Sequence, residues 1–164
     1  MSKKKLSLPG MLLIIFSASV LFSHSSLAQA MPSFSMRLTN GTLYSSKGLP
    51  PGKPVIIIYF APDCDHCLSL MDAIFKRIHD FKKAQMVLVT FKPVGEVREF
   101  EKNYHISRYS NIKVGIETPI FFFRNYYQVE NTPFTALFNR HRRLIISYKN
   151  QTPVDDLLKH LKVL

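Results

Sequence analysis

Two cysteines with the spacing of a reactive pair stand at residues 64 and 67, separated by Asp65 and His66, and the 164-residue sequence contains no others. They follow the apolar run of residues 55–60, which is typical of a strand buried on both faces. Apolar residues then recur at helical spacing, so we expect a helix to begin at the motif. Cys64 would face the unpaired amides and the positive end of that helix, which favour a thiolate. The spacing therefore predicts a redox-active Cys64–Cys67 disulfide with no other cofactor.

The predicted chemistry is thiol–disulfide exchange. A Cys64 thiolate would attack a partner's disulfide, and Cys67, one helical turn further along, would resolve the mixed disulfide. Asp65 and His66 are expected to tune the redox balance in opposite directions, because a protonated His66 stabilises the thiolate and Asp65 opposes it. Our hypothesis is that His66 prevails and makes the pair more oxidising.

Other uses of the two thiols stay open at this point. A purely structural disulfide would close a very short loop, which yields little stabilisation through chain entropy. Tetrahedral zinc needs four ligands, and the sequence has no second cysteine pair. Copper(I) accepts two thiolates, so a copper metallochaperone or assembly factor is the alternative function. Its distinguishing feature would be a histidine near the pair, for which His141 is a remote candidate. No other metal site is predicted.

Residues 1–30 have the layout of a signal peptide. They combine three lysines at positions 3–5, an apolar run over residues 11–22, and the ending Ala28-Gln29-Ala30. The apolar run is shorter than the ~20 residues of a membrane-spanning helix, so we expect cleavage rather than anchoring. The sequence thus predicts an exported, periplasmic protein, with a membrane anchor as the alternative if the signal is retained.

The remaining residues, 31–164, have the length of one domain. They hold 19 basic residues against 11 acidic ones, a net charge of +8. Export argues against a nucleic-acid partner, whereas acidic proteins or a membrane surface would suit the charge. The basic cluster of residues 140–143 falls in a predicted turn, where it is either solvated or a docking site for an acidic partner. We expect a monomer.

The hydrophobic pattern predicts an α/β sandwich with a mixed central sheet flanked by helices. An Asn40-Gly41 turn indicates a hairpin over residues 34–46. The further elements are strands at 55–60, 86–91, 134–138 and 144–148, a short strand at 111–114, and helices at 64–81, 95–104, 120–127 and 152–162. The aromatic run of residues 120–127 suits a strand equally well. Asp63 is expected near the cap of the first of these helices, Thr118-Pro119 at the start of the third, and Thr152 as the cap of the last.

Two segments resemble the TlpA-like thiol–disulfide oxidoreductases of the thioredoxin superfamily. Residues 53–67 are similar to the family's strand, redox motif and helix start, and residues 127–139 with 143–145 are similar to the segment that carries its cis-proline. The resemblance implies a thioredoxin-like fold over residues 31–164 with an N-terminal β-hairpin extension. It also implies a cis Pro133, with the backbone of Thr132 pairing to an incoming peptide; the alternative is a trans proline opening an edge strand.

By the same resemblance, the partners would be exported proteins with thiols or disulfides and a reductant in the membrane or periplasm. Two family carboxylates are absent, because Ile58 and Leu70 occupy their positions. Cys67 must lose a proton to act as the resolving nucleophile, and the usual helper is therefore missing. Glu130 and His66 are the candidates to replace it.

Overall fold

The computed structural model describes residues 29–164. The predicted signal peptide, residues 1–30, lies outside the described residues except for Gln29 and Ala30. Within the described part of the chain, no helix combines the length and apolar character needed to span a bilayer.

Seven strands form one mixed sheet, and four α-helices cover its faces. The strands are β1 Ser35–Leu38, β2 Leu43–Ser45, β3 Val55–Tyr59, β4 Gln85–Thr90, β5 Ile112–Thr118, β6 Phe134–Phe138 and β7 Leu144–Lys149. The helices are α1 Asp65–Lys76, α2 Val94–Asn103, α3 Phe122–Tyr127 and α4 Val154–Lys162. The order across the sheet is β2-β1-β5-β4-β3-β6-β7.

The central strands give the sheet two distinct ends. β3 and β4 are parallel and fully buried, as their continuous apolar runs predict. β6 runs antiparallel to β3, so Phe134 at its start lies opposite Tyr59 at the end of β3. We call this end, where β3, β4 and β5 finish, the carboxyl edge, and the opposite end, where they begin, the amino edge.

The N-terminal hairpin is confirmed and extends the sheet. β1 pairs with β2 and, on its other side, with β5. Gly41 has a φ of +87°, which a side chain rarely tolerates, and its N–H donates to the carbonyl of Leu38 at 2.9 Å. The Asn40 side chain accepts from the Thr42 N–H at 3.0 Å. These contacts form the turn that the Asn-Gly pair predicts.

The two faces of the sheet bury separate hydrophobic layers. α1, α2 and α4 pack on one face, where Cys67, Met71 and Leu157 meet alternate residues of β3 and β4. α3 packs on the other face, where Phe123 meets Tyr59. Period-2 alternation along β3 therefore sends Ile58 towards the redox motif and Tyr59 away from it. The predicted α/β sandwich is confirmed.

Several predicted helix boundaries are wrong. α1 ends at Lys76, and residues 78–81 form a separate 3₁₀ turn, because Arg77 leaves helical geometry with φ −120° and ψ 25°. The start of α1 agrees with its prediction, because Cys64 is the N-cap and Asp63 lies directly before it. Pro153 is the N-cap of α4, since the Thr152 hydroxyl bonds that of Thr135 at 2.8 Å instead of a backbone amide.

The segment between α2 and β6 also differs from its prediction. β5 runs from Ile112 to Thr118, well beyond the predicted short strand, because it pairs with both β4 and β1. Thr118 thus ends a strand rather than starting a helix, and α3 begins only at Phe122. Tertiary pairing overrides the local preference of this stretch.

Two buried tyrosines on the same face of the sheet differ in their hydrogen bonding. The Tyr59 hydroxyl donates to the carboxylate of the buried Glu117 at 2.8 Å. The Tyr127 hydroxyl is buried and finds no hydrogen-bond partner among residues 29–164. A buried polar atom without a partner loses its hydration and gains nothing in return.

The matched changes Tyr127→Phe and Tyr59→Phe should therefore shift stability in opposite directions. We expect the first to raise the free energy of unfolding by about 1 kcal/mol and the second to lower it by about 1–3 kcal/mol. Urea denaturation of both variants measures the difference. Equal destabilisation by the two changes would show that Tyr127 has a partner in solution.

Candidate redox site

The redox motif lies where β3 gives way to α1 at the carboxyl edge. Pro62 and Asp63 form a tight turn in which the Cys64 N–H donates to the carbonyl of Ala61 at 3.1 Å. The Cys64 carbonyl then accepts the first bond of the helix, from the Leu68 N–H at 2.9 Å. Cys64 is thus the N-cap of α1, with extended backbone angles of −107° and 118°. Its side chain stands beside the free amides of the first turn.

The two cysteines lie in different environments. Cys64 is half-buried, and Cys67 is completely buried against the core. Burial acts to raise the pKa of the Cys64 thiol. Hydrogen bonds from the thiol and N–H of Cys67, then from the Thr132 side chain and the His66 N–H, outweigh it and lower that pKa. Burial raises the pKa of Cys67 to about 12. Cys64 is therefore the nucleophile that this arrangement favours.

The loop before β6 completes the site. The Thr132–Pro133 peptide is cis, as the resemblance implies. The Cys64 thiol donates to the Thr132 carbonyl at an Sγ–O distance of 3.7 Å, and the Thr132 hydroxyl interacts with both sulfurs. Two segments separated by almost seventy residues thus meet at the carboxyl edge, where Tyr59 pairs with Phe134.

Cys64 opens onto a surface cavity of about 440 Å³. Its walls are the motif, the loop before β6 and the connection between β7 and α4, and the lining residues are Cys64, His66, Asn131, Thr132, Asn150 and Gln151. A second cavity of about 410 Å³ continues past His66 towards Pro133 and Pro153. Together they form a groove with amide side chains and backbone groups along it, which suits an extended peptide.

The two central residues of the motif are both exposed, but only one faces this groove. His66 lines both cavities. Asp65 is exposed in the first turn of α1 and lines neither cavity. The neighbouring Asp63 forms an ion pair with Lys92, and the hydrogen bond from Lys92 lowers the pKa of the Asp63 carboxyl. This pair ties the turn before Cys64 to the loop after β4.

The structure contains a buried carboxylate that sequence reasoning missed. Glu117 is 1% exposed, and it accepts hydrogen bonds from the hydroxyl of Tyr59 and the N–H groups of Phe121 and Phe123. Burial raises its pKa. Tyr59 and Cys67 belong to opposite layers of the core, so Glu117 organises the start of α3 rather than the thiol pair. The sequence gives no signal for it, because Glu117 lies in β5, a strand whose register only the folded sheet fixes.

Glu130 and His66, the two residues predicted to help Cys67 lose its proton, lie in different parts of the structure. Glu130 is exposed on the loop after α3, whereas His66 lines the cavity beside Cys64. A hydrogen bond from the Thr132 side chain acts to lower the pKa of both thiols. From the sequence, only the backbone of Thr132 has a predicted role, which is to pair with an incoming peptide. The role of the Thr132 hydroxyl is not predicted.

The histidine that would distinguish a copper site does not reach the cysteines. His141 lies in the turn between β6 and β7, at the amino edge, whereas Cys64 lies at the carboxyl edge. Within residues 29–164, no cluster of three histidine, cysteine or acidic side chains has the geometry of a metal site.

Comparisons with known proteins rest on structure. Neither a family model nor a curated protein sequence matches the chain. A protein from Neisseria meningitidis assigned to the thioredoxins superposes with a TM-score of 0.63 at 22% identity, over 83% of this chain and 89% of that one. The exposed lipoprotein thioredoxin of Streptococcus pneumoniae gives 0.61 at 20% identity, over 81% and 100%.

A third solved structure is a secreted Mycobacterium tuberculosis disulfide oxidoreductase homologous to Escherichia coli DsbE. Its TM-score is 0.66 at 16% identity, over 80% of this chain and 96% of that one. These likenesses establish the fold: the chain has a thioredoxin-like fold with an N-terminal hairpin. The fold implied by the resemblance of residues 53–67 and 127–139 is therefore confirmed.

The contact of the Thr132 hydroxyl with the sulfurs leads to a test of the pKa of Cys64. Thr132→Val removes the hydroxyl at nearly constant volume, so the pKa should rise and alkylation by iodoacetamide at pH 7 should slow about threefold to tenfold.

The matched control is Thr135→Val, the same change three residues later, where the hydroxyl bonds Thr152 instead. Its alkylation rate should stay that of the unchanged protein. An equal effect of both changes, or of neither, would contradict the contribution of Thr132.

Proposed function

We propose that this protein is an extracytoplasmic thiol–disulfide oxidoreductase that exchanges disulfides with exported proteins through Cys64 and Cys67. The observation that carries the proposal is the asymmetry of the pair. The half-buried Cys64 has a lowered pKa, and the buried Cys67 has a raised one. The Cys64 sulfur can therefore attack a disulfide, and the Cys67 sulfur lies within one helical turn to resolve the mixed disulfide.

The exchange balances as a transfer of two electrons and two protons. The Cys64 thiolate attacks one sulfur of a partner's disulfide, the partner's S–S bond breaks, and the leaving sulfur takes up a proton. Cys67 then loses its proton and attacks the Cys64 sulfur, which releases the partner's second thiol and forms the Cys64–Cys67 disulfide. The reverse sequence oxidises a partner dithiol. Continuous reduction requires a dithiol reductant, which we place in the membrane or periplasm.

The groove beside Cys64 supports a polypeptide as the partner. The Thr132 carbonyl lies 3.7 Å from the sulfur, so a peptide that hydrogen-bonds to this backbone segment would bring its disulfide to Cys64. A partner peptide paired there would have to release the Thr132 carbonyl from its contact with the thiol. Deprotonation of Cys64 does this, because a thiolate has no proton to donate.

The site of action outside the cytoplasm rests on two kinds of support. Residues 1–30 have the composition of a signal peptide, with its basic start and short apolar run. Two structural neighbours are a secreted disulfide oxidoreductase and an exposed lipoprotein thioredoxin. We therefore propose export to the periplasm and exported proteins as partners.

Trapping of mixed disulfides tests the proposal directly. Cys67→Ala should accumulate covalent complexes with exported proteins, because nothing resolves the bond to Cys64. Cys64→Ala is the matched control and should capture few partners, since the remaining thiol is buried and its pKa is about 12. Diagonal electrophoresis of an extract of exported proteins measures both. Equal capture by the two variants would refute the assignment of the nucleophile.

The influence of His66 on the redox balance can be separated into two parts. Its N–H helps to lower the pKa of Cys64, and its imidazole lines the groove. His66→Gln keeps the N–H and removes the imidazole, whereas His66→Pro removes both.

If a protonated imidazole stabilises the thiolate, His66→Gln should make the reduction potential about 10–30 mV more negative, and His66→Pro should shift it further. Equilibration with glutathione buffers measures the potentials. An unchanged or less negative value in both variants would show that His66 is no oxidising influence.

A further inference from the structure

The amino edge of the sheet collects basic side chains from four separate segments. Strand register places them there: Val55 pairs with both Gln85 and Phe138, so the residues just before β3, just before β4 and just after β6 share this end. The end of α4 joins them, because the Lys83 ammonium donates to the Lys162 carbonyl at 3.1 Å. The basic residues of these segments are Lys53, Lys82, Lys83, Arg140, Arg142, Arg143, Lys159 and Lys162. We call this set the basic end.

The segments of the basic end touch one another. The Gln85 N–H donates to the Pro54 carbonyl at 2.8 Å, which joins the chain before β4 to the chain before β3. The Arg142 guanidinium donates to the carbonyls of Lys53 and Pro50 at 3.0 and 2.7 Å, which holds the β6–β7 turn against the same loop. Arg142 thus holds these segments together, and the exposed basic side chains around it carry the positive charge of the surface.

Acidic residues are absent from these four segments. Residues 49–54, 82–84, 139–143 and 159–164 contain no aspartate or glutamate. Asp80, two residues before Lys82, is paired with Arg77. The carboxyl edge is mixed in charge: the acidic residues around the redox motif and its neighbouring loops are Asp63, Asp65, Glu96, Glu99 and Glu130, and Lys47, Lys92, Arg124 and Lys149 lie on the same side.

The basic end and the carboxyl edge are far enough apart for salt to screen the charges of one from those of the other. Five strand residues alone span about 17 Å, whereas the Debye length at physiological salt is about 8 Å. A charged surface that meets the basic end is therefore screened from the acids near Cys64. The net charge of +8 of residues 31–164 is therefore unevenly distributed, with the excess of basic side chains at the basic end.

The described chain also begins at the basic end. The Gln29 carbonyl accepts from the Leu144 N–H at 2.8 Å, and the Met31 N–H donates to the Arg142 carbonyl at 2.9 Å. Ala30 pairs with Arg143 as an antiparallel bridge. Residues 1–28, with their three lysines and apolar run, therefore connect to the domain at this end rather than beside Cys64.

We propose that the basic end binds the surface of a membrane rich in anionic phospholipids. Basic side chains close to such a surface each contribute attraction to the lipid phosphates, and the acid-free surface offers no opposing charge. Bound in this way, the protein directs Cys64 away from the membrane. The proposal does not depend on the thiol chemistry.

Vesicle binding by the full chain tests the proposal. The full chain should co-sediment more strongly with phosphatidylglycerol-containing vesicles than with pure phosphatidylcholine vesicles, and salt should abolish the difference. The triple change Lys82→Gln, Lys83→Gln and Arg140→Gln should weaken binding to the anionic vesicles on the order of 100-fold, at roughly fivefold per basic side chain.

A triple variant with the same net charge provides the control. Lys47, Arg124 and Lys149 lie towards the carboxyl edge, because Ser45, Thr118 and Phe134 pair there with their neighbours. Their replacement by glutamine should leave vesicle binding within about twofold of the unchanged protein. Circular dichroism confirms that both triple variants are folded. Residues 1–28 are common to all the proteins, so their contribution cancels.

A fluorescent thiol label reads out the orientation. Nitroxide lipid headgroups should quench a label at His141→Cys, made with Cys64→Ala and Cys67→Ala, but not a label on Cys64 in Cys67→Ala. Equal loss of binding in the two triple variants, no preference for anionic vesicles, or stronger quenching at Cys64 would overturn the proposal. Binding to polyaspartate with none to vesicles would also overturn it and would identify an acidic macromolecule as the partner.

Discussion

The placement of one sulfur atom controls the candidate site. Cys64 is the N-cap of α1, shortly after β3 ends at Tyr59, so its thiol meets the amides of the first helical turn while it remains half exposed. Burial opposes ionisation, and the hydrogen bonds from Cys67, Thr132 and His66 outweigh it. The local balance therefore favours a thiolate on the surface and a thiol beneath it.

The rest of the fold brings distant segments to that sulfur. Parallel pairing of β3 and β4 puts their carboxyl ends together, and antiparallel pairing of β6 returns the chain to the same edge. The cis Pro133 loop consequently faces the start of α1, and the β7–α4 connection closes the groove. The same topology sends the loops with excess lysine and arginine to the other end. Reactivity and basic charge are thus separated by the length of the central strands.

Sequence reasoning identifies most of this arrangement because its strongest patterns are local. The continuous apolar runs of β3 and β4, the Asn40-Gly41 turn and the helical period after Cys64 each follow from neighbouring residues. The errors lie where tertiary contacts decide. Thr118 is a plausible helix start in sequence, but pairing with β1 draws it into β5. Thr152 has the chemistry of a cap, but Thr135 takes its hydroxyl. The hydrogen bonds of Glu117 and the hydroxyl contacts of Thr132 depend on register, which no local pattern records.

Separate titration of the two thiols tests the central claim most directly. In reduced protein with carbon-13 at the cysteine Cβ atoms, nuclear magnetic resonance follows each thiol as pH rises. We predict that Cys64 ionises below the value of an ordinary thiol, about 8.5, while Cys67 stays protonated until far more alkaline pH. Ionisation of both thiols together at the ordinary value, or of Cys67 first, would contradict the account.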